Sequence, residues 1–320
     1  MDADNVFGLA DFWSLYYSRS VEDESVRGSE GFGGFVSAPY GYWTLSANGG
    51  YFSYESVLDA NGQQFSNDGK SWNASGIIDR VLFRDSKVKI SASGTLAISD
   101  IENRIQGIRL STSSYRLVTV AIDGRLQRLV KRGLINAALG LTRGVDILGA
   151  NSADTGPGGP GLTFWVVDAS VGYRQQVKLS KANLRYSALL RGQSALDPVF
   201  SGQRFSLGGS STVRGFRDDG ISGRHGASFR QQVDAPVLSL FKDSRDWKSD
   251  VSGFVGYDAG GIFRRGDDRF ERGFLQSVTA GLRFSGKFVN LEFSASRPLS
   301  APEFVTKKDF EFSFSARIGM

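Results

Sequence analysis

The sequence predicts an all-β fold, a transmembrane antiparallel β-barrel of about 16 strands, from three observations. The strongest is period two. Across residues 310–318 every even position is apolar and every odd one polar, as in a strand with one apolar face. Val289, Leu291, Phe293 and Ala295 repeat this on one face of 288–296, and residues 87–93 repeat it near the front. The next observation is the polar face itself, where Lys, Glu, Arg and Asn recur at short intervals. A soluble sandwich also alternates, but a face this charged suits a watery lumen. The last is composition: 24 Phe, 10 Tyr and 5 Trp stand beside 40 Gly and only 7 Pro, and aromatics favour strands.

Length agrees. The 320 residues give roughly sixteen strands at about 20 residues for each strand and its connection, near porin size. No apolar run reaches the roughly 18 residues of a transmembrane helix, whereas a barrel strand needs only about 9–11. The candidate strands, in order, cover 7–20, 30–39, 42–56, 70–82, 87–99, 102–113, 115–128 and 133–145. They continue over 163–177, 183–194, 225–235, 250–262, 273–285, 287–297 and 308–319, with a further one expected in 196–207. Tight connections stand at Pro39-Tyr40-Gly41, Arg84-Asp85-Ser86-Lys87 and Ser285-Gly286-Lys287. Longer polar connections are expected over 21–29, 57–69, 263–272 and 298–307. No linker or shift in composition divides the chain, so residues 1–320 are expected to form one barrel domain.

Charge and composition exclude several classes. The net charge of +5 is spread along the chain, without the basic clusters of a nucleic-acid binder. Cysteine is absent, which removes disulfides and thiolate chemistry. Gly156-Pro157-Gly158-Gly159-Pro160-Gly161 formally fits a dinucleotide glycine pattern, but its two prolines and the lack of a following amphipathic helix make it a loop. Gly69-Lys70-Ser71 fails as a phosphate loop because Gln64 stands where the first glycine is needed. His225 is the single histidine. It cannot build a histidine-rich metal site, and no Gly-x-Ser-x-Gly elbow accompanies it as a hydrolase base. No catalytic residue, metal site or cofactor is expected.

Two motifs remain. Gly208-Gly209-Ser210-Ser211-Thr212-Val213-Arg214-Gly215-Phe216 places a cationic tip in a Gly/Ser-rich stretch, with Gln203-Arg204-Phe205-Ser206-Leu207 ahead of it. Glycine there allows close approach, and Gly215 permits a turn at the tip. Downstream, Phe254-Val255-Gly256-Tyr257-Asp258-Ala259-Gly260 alternates so that Phe254, Gly256 and Asp258 share one strand face, opposite Val255 and Tyr257. If Val255 and Tyr257 meet lipid, Asp258 meets the lumen.

Together these motifs resemble the barrel-assembly superfamily of outer-membrane proteins, and in particular the TpsB transporters of two-partner secretion. Ala38-Pro39-Tyr40-Gly41-Tyr42-Trp43 is similar to that family's first periplasmic hairpin, and Arg80-Val81-Leu82-Phe83-Arg84-Asp85 to its next. Gly226-Ala227-Ser228-Phe229-Arg230-Gln231-Gln232-Val233 sits where the strand after the loop is expected. The resemblance implies that a long extracellular loop folds into the lumen, carrying Val213, Arg214, Gly215 and Phe216. Arg214 is then expected to meet Asp258 on an inner wall that includes Phe254, Gly256 and Gly260, as a conformational latch. A charge-assisted pair of this kind is worth about 1.5–3 kcal/mol, strong enough to hold a loop and weak enough to release it.

The same resemblance implies an outer-membrane location, lipid and lipopolysaccharide around the barrel, and a monomer. The implied partner is a large secreted exoprotein such as an adhesin, haemolysin or contact-dependent toxin, driven by its own folding at the cell surface. The chain departs from the pattern in two ways. No signal peptide is legible at Met1-Asp2-Ala3-Asp4, and neither the family's POTRA domains nor its plug helix stands ahead of the barrel, so a front part is expected to have been removed. The chain also ends in Met320 rather than an aromatic residue. A barrel-assembly factor, a passive diffusion porin and a soluble β-sandwich binding module are the competing readings. They are separated by upstream domains, steady ion-selective conductance, and refolding without detergent, respectively.

Overall fold

A computed structural model describes residues 1–20, 28–60, 63–153, 156–179, 182–217, 219–240, 249–263 and 272–318. The expected connections 21–29 and 263–272 lie almost wholly outside these residues. The strands are β1 (Asp2–Asp4), β2 (Phe12–Arg19), β3 (Ser29–Tyr40), β4 (Trp43–Ala60), β5 (Gln63–Arg84) and β6 (Val88–Ile105). Next come β7 (Ile108–Arg109), β8 (Tyr115–Val130), β9 (Gly133–Val145), β10 (Phe164–Leu179), β11 (Ala182–Ala195), β12 (Phe205–Leu207) and β13 (Ile221–Gly223). The last five are β14 (His225–Leu240), β15 (Ser249–Phe263), β16 (Gly273–Ser285), β17 (Val289–Ser300) and β18 (Glu311–Ile318).

Sixteen of these form one antiparallel sheet whose neighbours follow chain order, with β7 folded back onto β6; β12 and β13 pair separately. Among the described residues no ladder joins β1 to β18. The sheet is nevertheless curled around a lumen. A cavity of about 1020 Å³ is lined from Phe35 on β3 round to Glu292 on β17, and Ser210 and Arg214 enter it from the segment between β11 and β14.

The side chains are distributed inside out relative to a soluble protein. Leu82, Ile122, Leu139, Val255, Leu282 and Phe314 are exposed on the outer face, while Ser91, Ser228, Ser277, Thr279 and Ser296 are buried inside. A continuous exposed apolar band is untenable in water and is what lipid requires. Tyr40, Tyr42 and Trp43 cluster at one hairpin tip, with the Arg80 guanidinium 4.7 Å from the Trp43 ring, as in an interfacial belt.

The tight connections are hairpin tips at one end of the barrel. Gly41 supplies a positive φ of 60°. The Asp85 carboxylate accepts from the backbone N–H groups of Lys87 and Val88, and Gly286 N–H donates to the Val289 carbonyl.

Three expectations are corrected. Residues 102–113 do not form a separate strand: β6 continues to Ile105, turns at Gln106 and Gly107, both at positive φ, and returns only as the two-residue β7. Residues 196–207 do not cross the wall. They enter the barrel through a 3-10 turn at Ser201–Gln203 and end in β12. Residues 57–69 are mostly strand, because β4 and β5 run 18 and 22 residues, about twice what a membrane crossing needs. The hairpin they form therefore projects well past the bilayer.

Candidate functional site: a loop pinned inside the barrel

The in-folded segment is built from its glycines outward. Gly208, Gly209 and Gly215 take φ values of 117°, 81° and 91°, which side chains with a Cβ rarely adopt. Thr212 Oγ1 accepts from Gly208 N–H and donates to Gly208 O, and Gly209 N–H donates to Phe216 O. These bonds close a compact tip. The tip is then seated by an apolar cluster in which Val213, Phe216, Leu207 and Ile221 pack with Ile262 of β15, Leu275 of β16 and Val305. A Cβ on Gly260 would meet the Leu207 side chain at 2.6 Å and the Ala227 carbonyl at 3.0 Å, so a side chain there would have to displace Leu207. Gly215 lies against Ser296 and Pro298 of β17.

Burying this cluster aims Arg214 at the wall. Its Nε donates to Asp258 Oδ2 at 2.6 Å, its Nη2 to Asp258 Oδ1 at 2.9 Å, and its backbone N–H to Oδ2 at 3.1 Å. The remaining nitrogen, Nη1, donates to Gln232 Oε1 at 2.9 Å. The Arg214 side chain is 10% exposed and that of Asp258 0%. A fork-to-fork pair out of water is strong and geometrically selective. Removing Asp258 strands the Arg214 charge, at a cost of about 3–5 kcal/mol.

The antiparallel pleat supplies this geometry. Phe254, Gly256, Asp258 and Gly260 are buried on one face of β15, while Val255 is 63% exposed on the other. Gly256 leaves room for the guanidinium. Phe254 lies between two cations, with Arg214 at 6.0 Å and Arg283 at 5.2 Å from its ring centre, within cation–π range.

Several contributors were not among the residues singled out from the sequence. Arg230 faces Asp258 directly in the β14–β15 register; its Nε is 3.4 Å from Asp258 Oδ1, and its Nη1 donates to the Ser210 carbonyl at 2.7 Å. Gln232 passes the network on to Asp234 Oδ1, which also accepts from Arg283, itself paired with Glu292. A signal for Arg230 and Gln232 was available: they alternate in the strand after the loop, on the face that pairs with Asp258. A second, apolar anchor left no such signal. Phe200 stacks on Tyr115 at 4.0 Å between centres and 17° between planes, among Leu117, Phe164, Val166 and Val199.

Known proteins resemble this chain in both sequence and fold. The outer membrane transporter CdiB of Escherichia coli is 29% identical over 307 residues, covering 94% of this chain and 50% of its own length. The hemolysin transporter protein ShlB of Serratia marcescens is 27% identical over 300 residues, covering 93% and 52%. The chain thus spans about half the length of the curated relatives it matches. The solved structure of CdiB from Escherichia coli superimposes with a TM-score of 0.91 at 26% identity, over 99% of this chain and 58% of that one. BamA from Haemophilus ducreyi shares the barrel architecture, with a TM-score of 0.61 at 13% identity over 99% and 66%. The haemolysin secretion/activation protein family ShlB/FhaC/HecB matches residues 1–284, and with nearly nine-tenths of its length matched, this chain belongs to that family as a TpsB-type outer-membrane barrel.

Proposed function

We propose that this chain is the barrel of a transporter that secretes a large exoprotein across the outer membrane by two-partner secretion, with Arg214 and Asp258 as the latch on its in-folded loop. The observation that carries this reading is the clamp itself. One buried carboxylate receives three hydrogen bonds from a single arginine at the tip of a loop that occupies the lumen. A passive pore needs only a narrowing. A loop held by one polar clamp and two small apolar clusters is a removable obstruction, and release demands a defined free energy.

The client is an adhesin, haemolysin or contact-dependent toxin; one relative, ShlB, is a hemolysin transporter protein by name. The protein acts as a monomer without cofactor or catalytic group, and its exposed apolar belt contacts lipid and lipopolysaccharide. Planar-bilayer conductance of the refolded chain beside Arg214→Ala and Asp258→Ala tests the latch. Both substitutions are expected to raise channel opening alike. Conductance indifferent to both would leave a barrel without a latch and sink this reading.

A further inference from the structure

Lumen charge is sorted along the barrel axis. The antiparallel registers align residues into rows around the wall. One row holds Asp79, Asp123 and Asp168, joined through Ser93 and Gly140. The next lumen-facing row toward the short hairpin tips holds Arg125 and Arg191, joined through Ala138 and Ser170. The row after that holds Lys89 and Arg230, with Asp258 facing Arg230, and the following one Arg174. An acidic row thus gives way within two residues to a cationic band.

The band is under-neutralised. Seven cations line the central cavity, whose carboxylates are Asp79 and Glu292. Arg125 is held by Asp79, Arg214 and Arg230 by Asp258, and Arg283 by Asp234 and Glu292. Among the described residues, no ion pair engages Arg174, Arg191 or Lys89, and both arginines are exposed toward the cavity. Arg191 and Arg230 are diagonal neighbours on adjacent strands, a separation of about 7–8 Å. That is shorter than the screening length of about 10 Å at 0.1 M salt, so their fields add, and low-dielectric walls concentrate them. Asp258 offsets part of the Arg230 charge; the remainder opposes Arg191 unless an anion enters between them.

We infer that this band is an anion site, through which the lumen binds and passes small anions in preference to cations, with Arg174 and Arg191 as its selectivity-determining residues. The inference rests on the barrel alone and goes beyond the secretion reading; neither arginine belongs to the latch.

The test is the reversal potential of the full refolded chain in planar bilayers under a KCl gradient, beside an Arg174→Gln/Arg191→Gln double variant whose folding is checked by heat-modifiable gel mobility. The native barrel is expected to show a chloride-to-potassium permeability ratio above one, and the double variant a ratio lowered at least twofold. A native ratio at or below one, or a ratio unmoved by the double substitution, overturns the inference. If the chain passes no current, inorganic pyrophosphate at fixed ionic strength decides it in detergent: it should raise the unfolding midpoint of the native chain and not of the double variant. Equal midpoints overturn it. Neither readout depends on the Arg214–Asp258 comparison, so this inference and the secretion reading can fail separately.

Discussion

Gly256 lies directly beneath the Arg214 guanidinium, and a Cβ built on that glycine would collide with Arg214 Nη2 and press the Gln231 carbonyl. The arginine end is ordinarily a yielding neighbour, but here its hydrogen bonds to Asp258 and Gln232 hold it. Gly256→Ala is therefore expected to displace Nη2 from Asp258 Oδ1 and weaken the latch by about 1.5–3 kcal/mol, the worth of one charged hydrogen bond. Single-channel recording should show opening raised toward that of Arg214→Ala, with the barrel still folded by heat-modifiable mobility.

Arg214 and Asp258 should behave as one unit. Asp258→Ala strands the Arg214 charge and is expected to cost about 3–5 kcal/mol; Arg214→Ala leaves Arg230 3.4 Å from Asp258 and is expected to cost less. The double substitution should cost less than the sum, with a coupling of up to about 3 kcal/mol. Protease sensitivity of the loop across the four-member cycle measures this; strict additivity would show that the two residues act independently.

The Tyr115–Phe200 stack is a second tether, and its loss should free the approach to the tip without touching the latch. Phe200→Ala is expected to cost about 3–5 kcal/mol, typical of a buried ring. The effect should be local: amide protection lost near Ser201–Gln203, with the β14 and β15 amides unchanged. Exchange mass spectrometry separates this from global unfolding.

At the front of the chain, Asp11 gathers the backbone N–H groups of Val6, Phe7 and Leu9 and the Trp13 indole N–H at 2.6 Å. Burial alone would raise its pKa, but the Trp13 indole and the Phe7 and Leu9 amides together outweigh it and hold the carboxyl below its usual 3.8. A depressed carboxyl contributes stability above its unfolded value and loses it as pH falls through the lower folded value. The Trp13 indole N–H resonance should therefore keep its position as pH drops past 3.8 and move only in stronger acid. In Asp11→Asn no such transition should appear.

The two motifs around Arg214 and Asp258 were legible because each is short and local, and the alternation of residues 254–260 already placed Asp258 opposite Val255. The strands of the wall were legible for the same reason: lipid on one side and water on the other impose period two. That logic fails where both faces meet water. The Ser- and Asn-containing stretch 57–69 reads as loop by composition, yet backbone pairing alone extends β4 and β5 through most of it. The alternation of Ile101, Asn103 and Ile105 belongs to the end of β6, and only the positive-φ turn at Gln106 and Gly107 separates it from Ile108 and Arg109. Tyr115 and Phe200 meet across 85 positions, a distance at which spacing carries no information. That contact fastens the segment 196–207 where it enters the lumen.

Asp258 also ties the loop to the register of the wall. Sliding β15 by one residue against its neighbours would turn every side chain to the opposite face, sending this carboxylate into hydrocarbon and Val255 into water. Arg214 finds its partner only when β14, β15 and β16 are already in step, because Arg230, Asp258 and Ser277 share one row. Seating of the loop thus requires β15 in its native register, and a slipped strand would leave the loop without its anchor.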